Sequence, residues 1–412
     1  MGSRINSRID TDVAVIGGGL AGLSTALAIT ARSDARLTLF EPSVGSNRSL
    51  PLTFYDTLER FGLSDCIIKR YHRFALRART GEQAVCALNE AIFATLDYSG
   101  ACMALYRRLQ DRSNVSHQEA RVSAVIQEHG VWRIQAAKQE FTARLLIDAS
   151  GLTQQSQRID YRRPRLYSHS YGQILDCDGL SEEQQDTALF LTGNPDHGNG
   201  GGWFYPLPDG RASFGFAQVT RSPRYPRRRC IQGYERALRE FEPYHRLLHK
   251  GRIVPTHWGT IPLGTLRRFC HNGLMRVGDA AGQATSWACM GIEPALVNGE
   301  LCGEIAARAL HEGNLSARRL REYERRWRYQ HHVAYRKATM LADLEWNRGE
   351  RAWQDIVRWT ATLSPEEMLS NVRYNTPHIS LPVIWWLLVY DRLGLARRAL
   401  RNRFLQSAGA GA

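Results

Sequence analysis

Val13 to Ile16 is an unbroken apolar run, as suits a parallel strand buried on both faces. Small and apolar residues then predict a helix from about Leu20 to Ala31, and Leu37 to Phe40 predicts a second buried strand. Leu58, Phe61 and Leu63 fall near helical spacing and predict a short helix ended at Gly62. Weak alternation over 72–96 reads as strands, and Ala101 to Leu109 as a helix. Apolar and polar residues alternate on both sides of Glu128-His129-Gly130, the pattern of a hairpin. Ala143 to Gly151 is again an apolar strand that ends in Asp148 and Gly151.

The pattern changes over 161–264, where prolines, glycines and aromatics are dense and strands are expected at Tyr171–Asp176, Ala188–Thr192 and Ala212–Val219. Pro208-Asp209-Gly210 marks a hairpin turn. Leu274 to Val277 reads as a strand and Glu293 to Leu310 as a helix. The small residues Ala295, Gly299, Gly303 and Ala306 suit close packing of that helix on a strand or a cofactor. Ala317 to Arg348 reads as a long polar helix. The succession predicts an α/β protein: a Rossmann-like dinucleotide-binding domain, an inserted antiparallel-sheet substrate domain of α+β character, and a helical C-terminal region. The nucleotide-binding part is expected over 8–160, with a small strand insertion near 72–96, and again over 265–312. The antiparallel sheet takes 161–264 and the helical region 313–412.

Composition changes this picture little. The hydrophobic share of 43% is ordinary for a globular chain. The net charge of +14 comes almost wholly from arginine, because lysine stands only at 69, 138, 250 and 337. Such a surface is either simply solvated or meets anionic lipid or an acidic substrate. A nucleic-acid partner is not expected, since no binding module accompanies the charge. The eight cysteines form no C-x-x-C and no metal spacing, so the expectation is reduced thiols in a cytoplasmic protein without a metal. MGSRINSRID lacks an apolar signal core, and no run reaches membrane-spanning length. Two stretches suit peripheral membrane contact: the arginine-rich helix 317–348, and LPVIWWLLVY at 381–390 with the arginines after it. Packing on the core is the alternative for each.

The candidate chemistry starts at Gly17, Gly19 and Gly22, a G-x-G-x-x-G placed between a strand and a helix. The first glycine permits the turn, the second lets a pyrophosphate approach the backbone, and the third lets helix and strand pack closely. Ala21 lies in the same turn, and the helix start points free N–H groups at the phosphates. Glu41 follows at about twenty residues, where a carboxylate accepts from a ribose hydroxyl. An acid here favours FAD or NAD over NADP. Arg48 either touches the dinucleotide or is a solvated loop residue. Asp148 and Gly151 close a strand whose carboxyl end faces the ligand crevice, although Asp148 can equally cap a turn. Gly278, Asp279 and Gly282 follow another strand, and Asp279 can bond a ribityl or ribose hydroxyl. Trp203, Phe204 and Tyr205 are either sheet core or an aromatic wall beside a ring cofactor or an apolar substrate.

GGGLAG with Glu41, the D-A-S-G at 148–151 and the distal VGDAAG resemble the FAD-dependent oxidoreductases of the aromatic hydroxylase superfamily over about residues 10–310. The resemblance implies one FAD-binding fold with no second dinucleotide domain. In it, Gly17, Gly19, Gly22 and Glu41 hold the ADP half, and Asp279 and the turn at Gly282 hold the ribityl and pyrophosphate. Within the superfamily the chain is most similar to geranylgeranyl reductases and plant-type lycopene cyclases. Trp203-Phe204-Tyr205-Pro206 followed by Gly215-Phe216-Ala217 resembles a reductase motif, with Gly201 and Ala217 departing from it. YGQILD at 171–176 and GTIPLG at 259–264 resemble segments common to both families. Cys289-Met290-Gly291-Ile292 keeps part of a shared motif, while Thr285-Ser286-Trp287 departs.

The paired glutamates that cyclases carry are replaced here by Gly215 to Thr220, without an acid. A cyclase needs an acid to protonate an alkene, so reduction is the expectation. Gly202 to Pro208 also resembles a flavin halogenase motif, but Lys69 does not match the lysine those enzymes need. Monooxygenation stays open as an alternative. The reading is thus an FAD-dependent oxidoreductase that reduces a double bond in a lipophilic, isoprenoid or terpenoid, substrate. Trp203 and Tyr205 would line the cavity, with Tyr205, Cys289 or a water as the acid. An external electron donor is implied: NAD(P)H, a flavin reductase or ferredoxin.

Overall fold

Val13 and Val15 are fully buried because residues such as Leu20, Leu23, Leu296 and Ile305 cover the face of their strand, Thr11–Ile16, which has a parallel neighbour on each side. Those neighbours are Gln139–Asp148 and Leu37–Phe40. The computed structural model describes residues 9–153, 156, 166–192, 200–241, 244–286, 288–348 and 350–374. Around the central strand an eight-stranded sheet forms in the order Cys270–His271, Leu274–Arg276, Gln139–Asp148, Thr11–Ile16, Leu37–Phe40, Val115–Gln118. The hairpin Val122–Glu128 and Val131–Ala136 pairs onto its flank. Its turn is at His129-Gly130, both at positive φ, as the alternation around those residues requires.

The first helix, Leu20–Thr30, packs against Ile292–His311. A Cβ at Gly299 would lie 2.8 Å from Ala21 O, and one at Gly303 2.5 Å from Thr25 O. Gly299 and Gly303 of the later helix therefore serve a helix–helix contact, while Ala295 lines the cavity. Ser24 Oγ donates to Leu296 O at 2.7 Å and locks the pair.

A seven-stranded sheet runs Leu248–Leu263, Leu166–Cys177, Arg211–Thr220, Gly200–Leu207, Thr187–Thr192, Arg73–Arg77, Gln83–Ala87. Five of its six pairings are antiparallel, and Thr187–Thr192 with Arg73–Arg77 is parallel. The insertion near 72–96 is thereby divided: its first two strands extend this sheet, and Phe93–Leu96 joins Leu52–Phe54 and Ile67–Tyr71 in a separate three-stranded sheet. Alternation gives the large sheet two apolar faces. Tyr171, Phe214 and Phe216 meet Cys230, Tyr234 and Ala237 of the helix Arg227–Glu240. The opposite face carries Ser168, Gly172, Ile174 and Gly215 and remains open as a cavity wall.

The long helix Ala317–Arg348 buries Leu320, Tyr323 and Trp327 in the core, with Trp327 edge-on to Phe269 at 5.8 Å. Its arginines are partly paired, Arg326 with Glu322 at 2.7 Å and Arg319 with Glu312. Of the two readings of this helix, its packing fits the core-covering one. No helix among the described residues is long and apolar enough to cross a membrane. The segment 381–390 and its following arginines lie outside the described residues. Two further helices, Glu350–Thr360 and Pro365–Tyr374, cap the open sheet face.

Candidate functional site

The glycine turn is built by backbone proximity. Gly22 lies so near the preceding strand end that a Cβ would sit 2.0 Å from Gly17 O. Gly17, at φ +106°, lies against Ala149 in the same way. The first helix starts at Gly19 with no side-chain cap, so its leading N–H groups stay available. Glu41 does not line the cavity. Its Oε2 accepts from Gly18 N at 2.9 Å and its Oε1 from Ser43 N at 3.0 Å. It thus shapes the turn, and its unused lone pairs remain for a hydroxyl.

Of the two readings of Asp148, its hydrogen bonds fit the turn-capping one. The residue is fully buried, and its Oδ1 accepts from Ser150 N and Oγ while Oδ2 accepts from Ser156 N and Oγ. The carboxylate organises the chain after the strand and faces no cavity, because the fold supplies two serines above it. Gly151, at φ +64°, carries the backbone from that turn to the cavity wall.

One cavity of about 830 Å³ runs between the glycine turn and the open face of the large sheet. At one end stand Gly19, Ala21, Arg48 and Tyr98. Gly278, Asp279, Gly291 and Ile292 form its middle. Trp203, Tyr205 and Cys289 line the apolar end, together with Phe190, Ile174 and Met290. Gly17, Gly22 and Gly282 lie behind the surface and serve backbone packing; a Cβ at Gly282 would be 2.5 Å from Gly264 O.

Asp279 sits in the short turn Gly278–Ala281, and burial pushes its carboxyl up to about 6. No described side chain or amide bonds to its carboxylate oxygens. The turn itself is held from behind: Gly278 N donates to Gln283 Oε1 at 2.8 Å, Gln283 Nε2 donates to the Tyr323 hydroxyl at 2.8 Å, and the Tyr335 hydroxyl donates to Gln283 O at 2.7 Å. The helix Ile292–His311 begins at Gly291, again without a side-chain cap. Two helix N-termini therefore open on one cavity, each favouring negative charge.

Trp203 and Tyr205 point to the cavity with their rings stacked at 6.4 Å, whereas Phe204 between them enters the core on the other face. Period-two alternation thus divides the aromatic triplet between wall and core. The indole lies over Gly172 and Gly215, where a Cβ would meet its Cζ2 at 2.7 and 2.0 Å. Its Nε1 donates to Ser213 Oγ at 3.1 Å. Cys289 lines the same chamber, and burial pushes its thiol up to about 11.

Sequence reasoning missed the cap. Trp353, Ile356, Trp359 and Met368 complete the chamber. The cap is tied down by Arg373, whose Nη1 and Nη2 bond Asp56 at 2.6 and 2.9 Å and whose Nη2 bonds Glu293 at 2.7 Å. The amphipathic spacing of 350–374 was the available signal, but it does not say which surface the apolar face covers. Tyr98, partly buried with its hydroxyl against Gly19, was also missed. No group of three or more His, Cys, Asp or Glu among the described residues is arranged for a metal ion, and all eight cysteines are free.

A parallel sheet with this turn, joined to an antiparallel sheet across a shared cavity, places the protein in the Rossmann-like α/β class. The chain belongs to the lycopene cyclase protein family, which it matches over residues 12–354. Digeranylgeranylglycerophospholipid reductase 1 of Methanopyrus kandleri is 26% identical over 252 residues, 60% of this chain and 63% of that protein. A digeranylgeranylglycerophospholipid reductase 2 of Methanococcoides burtonii is 32% identical over 145 residues, 35% of this chain and 34% of that protein. These matches span less than two thirds of either relative. Among solved structures, a geranylgeranyl bacteriochlorophyll reductase-like protein of Thermoplasma acidophilum aligns with a TM-score of 0.75 at 17% identity, over 91% of this chain and 94% of that one. A flavin-dependent brominase aligns with a TM-score of 0.67 at 13% identity, over 93% and 99% of the two chains.

Proposed function

We propose that the protein is an FAD-dependent reductase of carbon–carbon double bonds in a lipophilic, isoprenoid-like substrate. The observation that carries this reading is the continuity of one cavity from the glycine turn to an apolar, aromatic-walled chamber. Its relatives in sequence are named as reductases of a geranylgeranyl lipid.

The residues fit FAD. The close approach at Gly17 and Gly22 leaves no side chain between the turn and a pyrophosphate, and the uncapped helix start at Gly19 supplies donors. Arg48 adds positive charge at the same end. Glu41 would take the ribose, Asp279 a ribityl hydroxyl, and the amides at Gly291 and Ile292 a ring carbonyl. When bound and reduced, FAD supplies a hydride. The protein's own part is to orient and to exclude water. Trp203, held flat by its two glycines and Ser213, forms the floor on which an extended chain lies. Phe190, Met290 and the cap helices surround it. The electrons come from an external donor, NAD(P)H, a flavin reductase or ferredoxin, because the chain holds a single nucleotide fingerprint.

The test is the mass of the product. Purified protein is checked for FAD by heat release, reduced without oxygen, and given polyprenyl and carotenoid substrates. Two hydrogens gained per bond is the expected result. An unchanged mass with altered retention would replace reduction by cyclisation, the second reading, which the family match favours. A gained oxygen or halogen, seen only with oxygen and halide present, would refute both readings in favour of monooxygenation or halogenation.

A further inference from the structure

Cys289 forms the wall between the apolar chamber and the start of the helix Ile292–His311. Its backbone is left-handed, with φ +52°, a region that favours glycine. Two hydrogen bonds impose it: Thr285 N donates to Met290 O at 2.9 Å, and Met290 N donates to Thr285 Oγ1 at 3.1 Å. A second observation points into the same space. Ser168 Oγ lines the cavity, its residue is 1% exposed, and the atom completes no hydrogen bond among the described residues. Ser168 and Cys289 line the same cavity, and the hydroxyl favours the ionised thiol. The uncapped N-terminus at Gly291, two residues on, favours a thiolate too.

We propose that Cys289 is the proton donor of the reduction and that Ser168 positions its thiol and steadies the thiolate that results. This rests on the reductive reading above. One alkene carbon takes the hydride, with both electrons, from reduced flavin. The other takes the proton as the S–H bond breaks, and water reprotonates the sulfur after the product leaves. The other titratable groups on the cavity serve less well. Tyr205 is raised further than the thiol by burial and stands against Tyr71, so its phenolate would be costlier. Asp279, pushed up to about 6, is largely ionised at neutral pH.

The experiment uses flavin-loaded protein, reduced with dithionite under anaerobic conditions and mixed with a polyprenyl substrate. Cys289→Ala, and Cys289→Gly, which relieves the strained φ, are expected to retain flavin and to bleach normally. Their substrate-driven flavin reoxidation should slow by about 10²-fold or more. Cys289→Ser should not rescue the rate, since a hydroxyl is far less acidic. Without substrate, Ser168→Ala should slow iodoacetamide labelling of the Cys289 peptide at fixed pH and move its pH profile upward. Wild-type rates in Cys289→Ala, or an unmoved labelling profile in Ser168→Ala, would overturn the proposal. A wild-type protein that adds no hydrogens overturns the reductive reading itself. That result is distinct from one in which wild type and Cys289→Ala reduce equally well.

Discussion

Gly215→Ala tests how Trp203 is held. The added Cβ would lie 2.0, 2.4 and 2.5 Å from the indole Cζ2, Cη2 and Cε2. Ordinary carbon contacts are about 3.5–4.0 Å, so the ring must move by roughly 1.5 Å. Gly172, paired with Gly215 across the strands, lies under the same ring edge. Overpacking of this kind costs about 1–3 kcal/mol, and losing the bond from Nε1 to Ser213 adds about 1 kcal/mol. The variant should therefore lose about 2–4 kcal/mol in urea unfolding. Trp203→Phe removes the atoms that the new methyl strikes. The double variant should be more stable than the sum of the single changes predicts, by at least about 1 kcal/mol. Additive losses, or a Gly215→Ala protein as stable as wild type, would refute the view that the two glycines exist to seat this ring.

Two further outcomes follow from the same geometry. Asp279 has its folded pKa raised from 3.8 to about 6 by burial, so the folded state binds the proton more tightly than the unfolded one. The destabilisation from this group is absent below pH 3.8, grows between there and about 6, and is complete above, reaching up to about 3 kcal/mol. Flavin-free Asp279→Asn should thus be more stable than wild type above pH 6 while holding FAD less tightly, measured by thermal unfolding and flavin titration. Arg373→Ala cuts the cap from Asp56 and Glu293. The partly exposed network should cost about 1–2 kcal/mol, shrinking in high salt. Hydrogen exchange should rise first in Pro365–Tyr374, and unchanged exchange there would show that apolar packing alone holds the cap.

The local elements were legible in the chain because their causes are local. An unbroken apolar run followed by spaced glycines specifies a buried strand, a turn and a helix within about thirty residues. The His129-Gly130 and Asp209-Gly210 turns follow from side-chain alternation and from residues that tolerate positive φ. The long helix Ala317–Arg348 was bounded by its own composition. What each face met was decided elsewhere. Asp148 read either as a residue of the ligand crevice or as a turn cap, and two serines, one of them eight residues on, took both its oxygens. The glycines of the helix Ile292–His311 read as a contact with a strand or a cofactor, and they seat the first helix, far away in the chain. Gly172 and Gly215 stood in segments that resemble known families, but their physical reason, an indole laid over them, was not written in those segments. The cap over the chamber was invisible for the same cause: an amphipathic helix states that it has an apolar face, and only long-range packing states which surface that face covers. The sequence by itself determined the nucleotide turn and the succession of elements, through spacing and backbone sterics. The cavity, the flat seat of Trp203 and the strained Cys289 beside Ser168 came from tertiary structure alone, because each is a contact between segments whose separation along the chain no local pattern records.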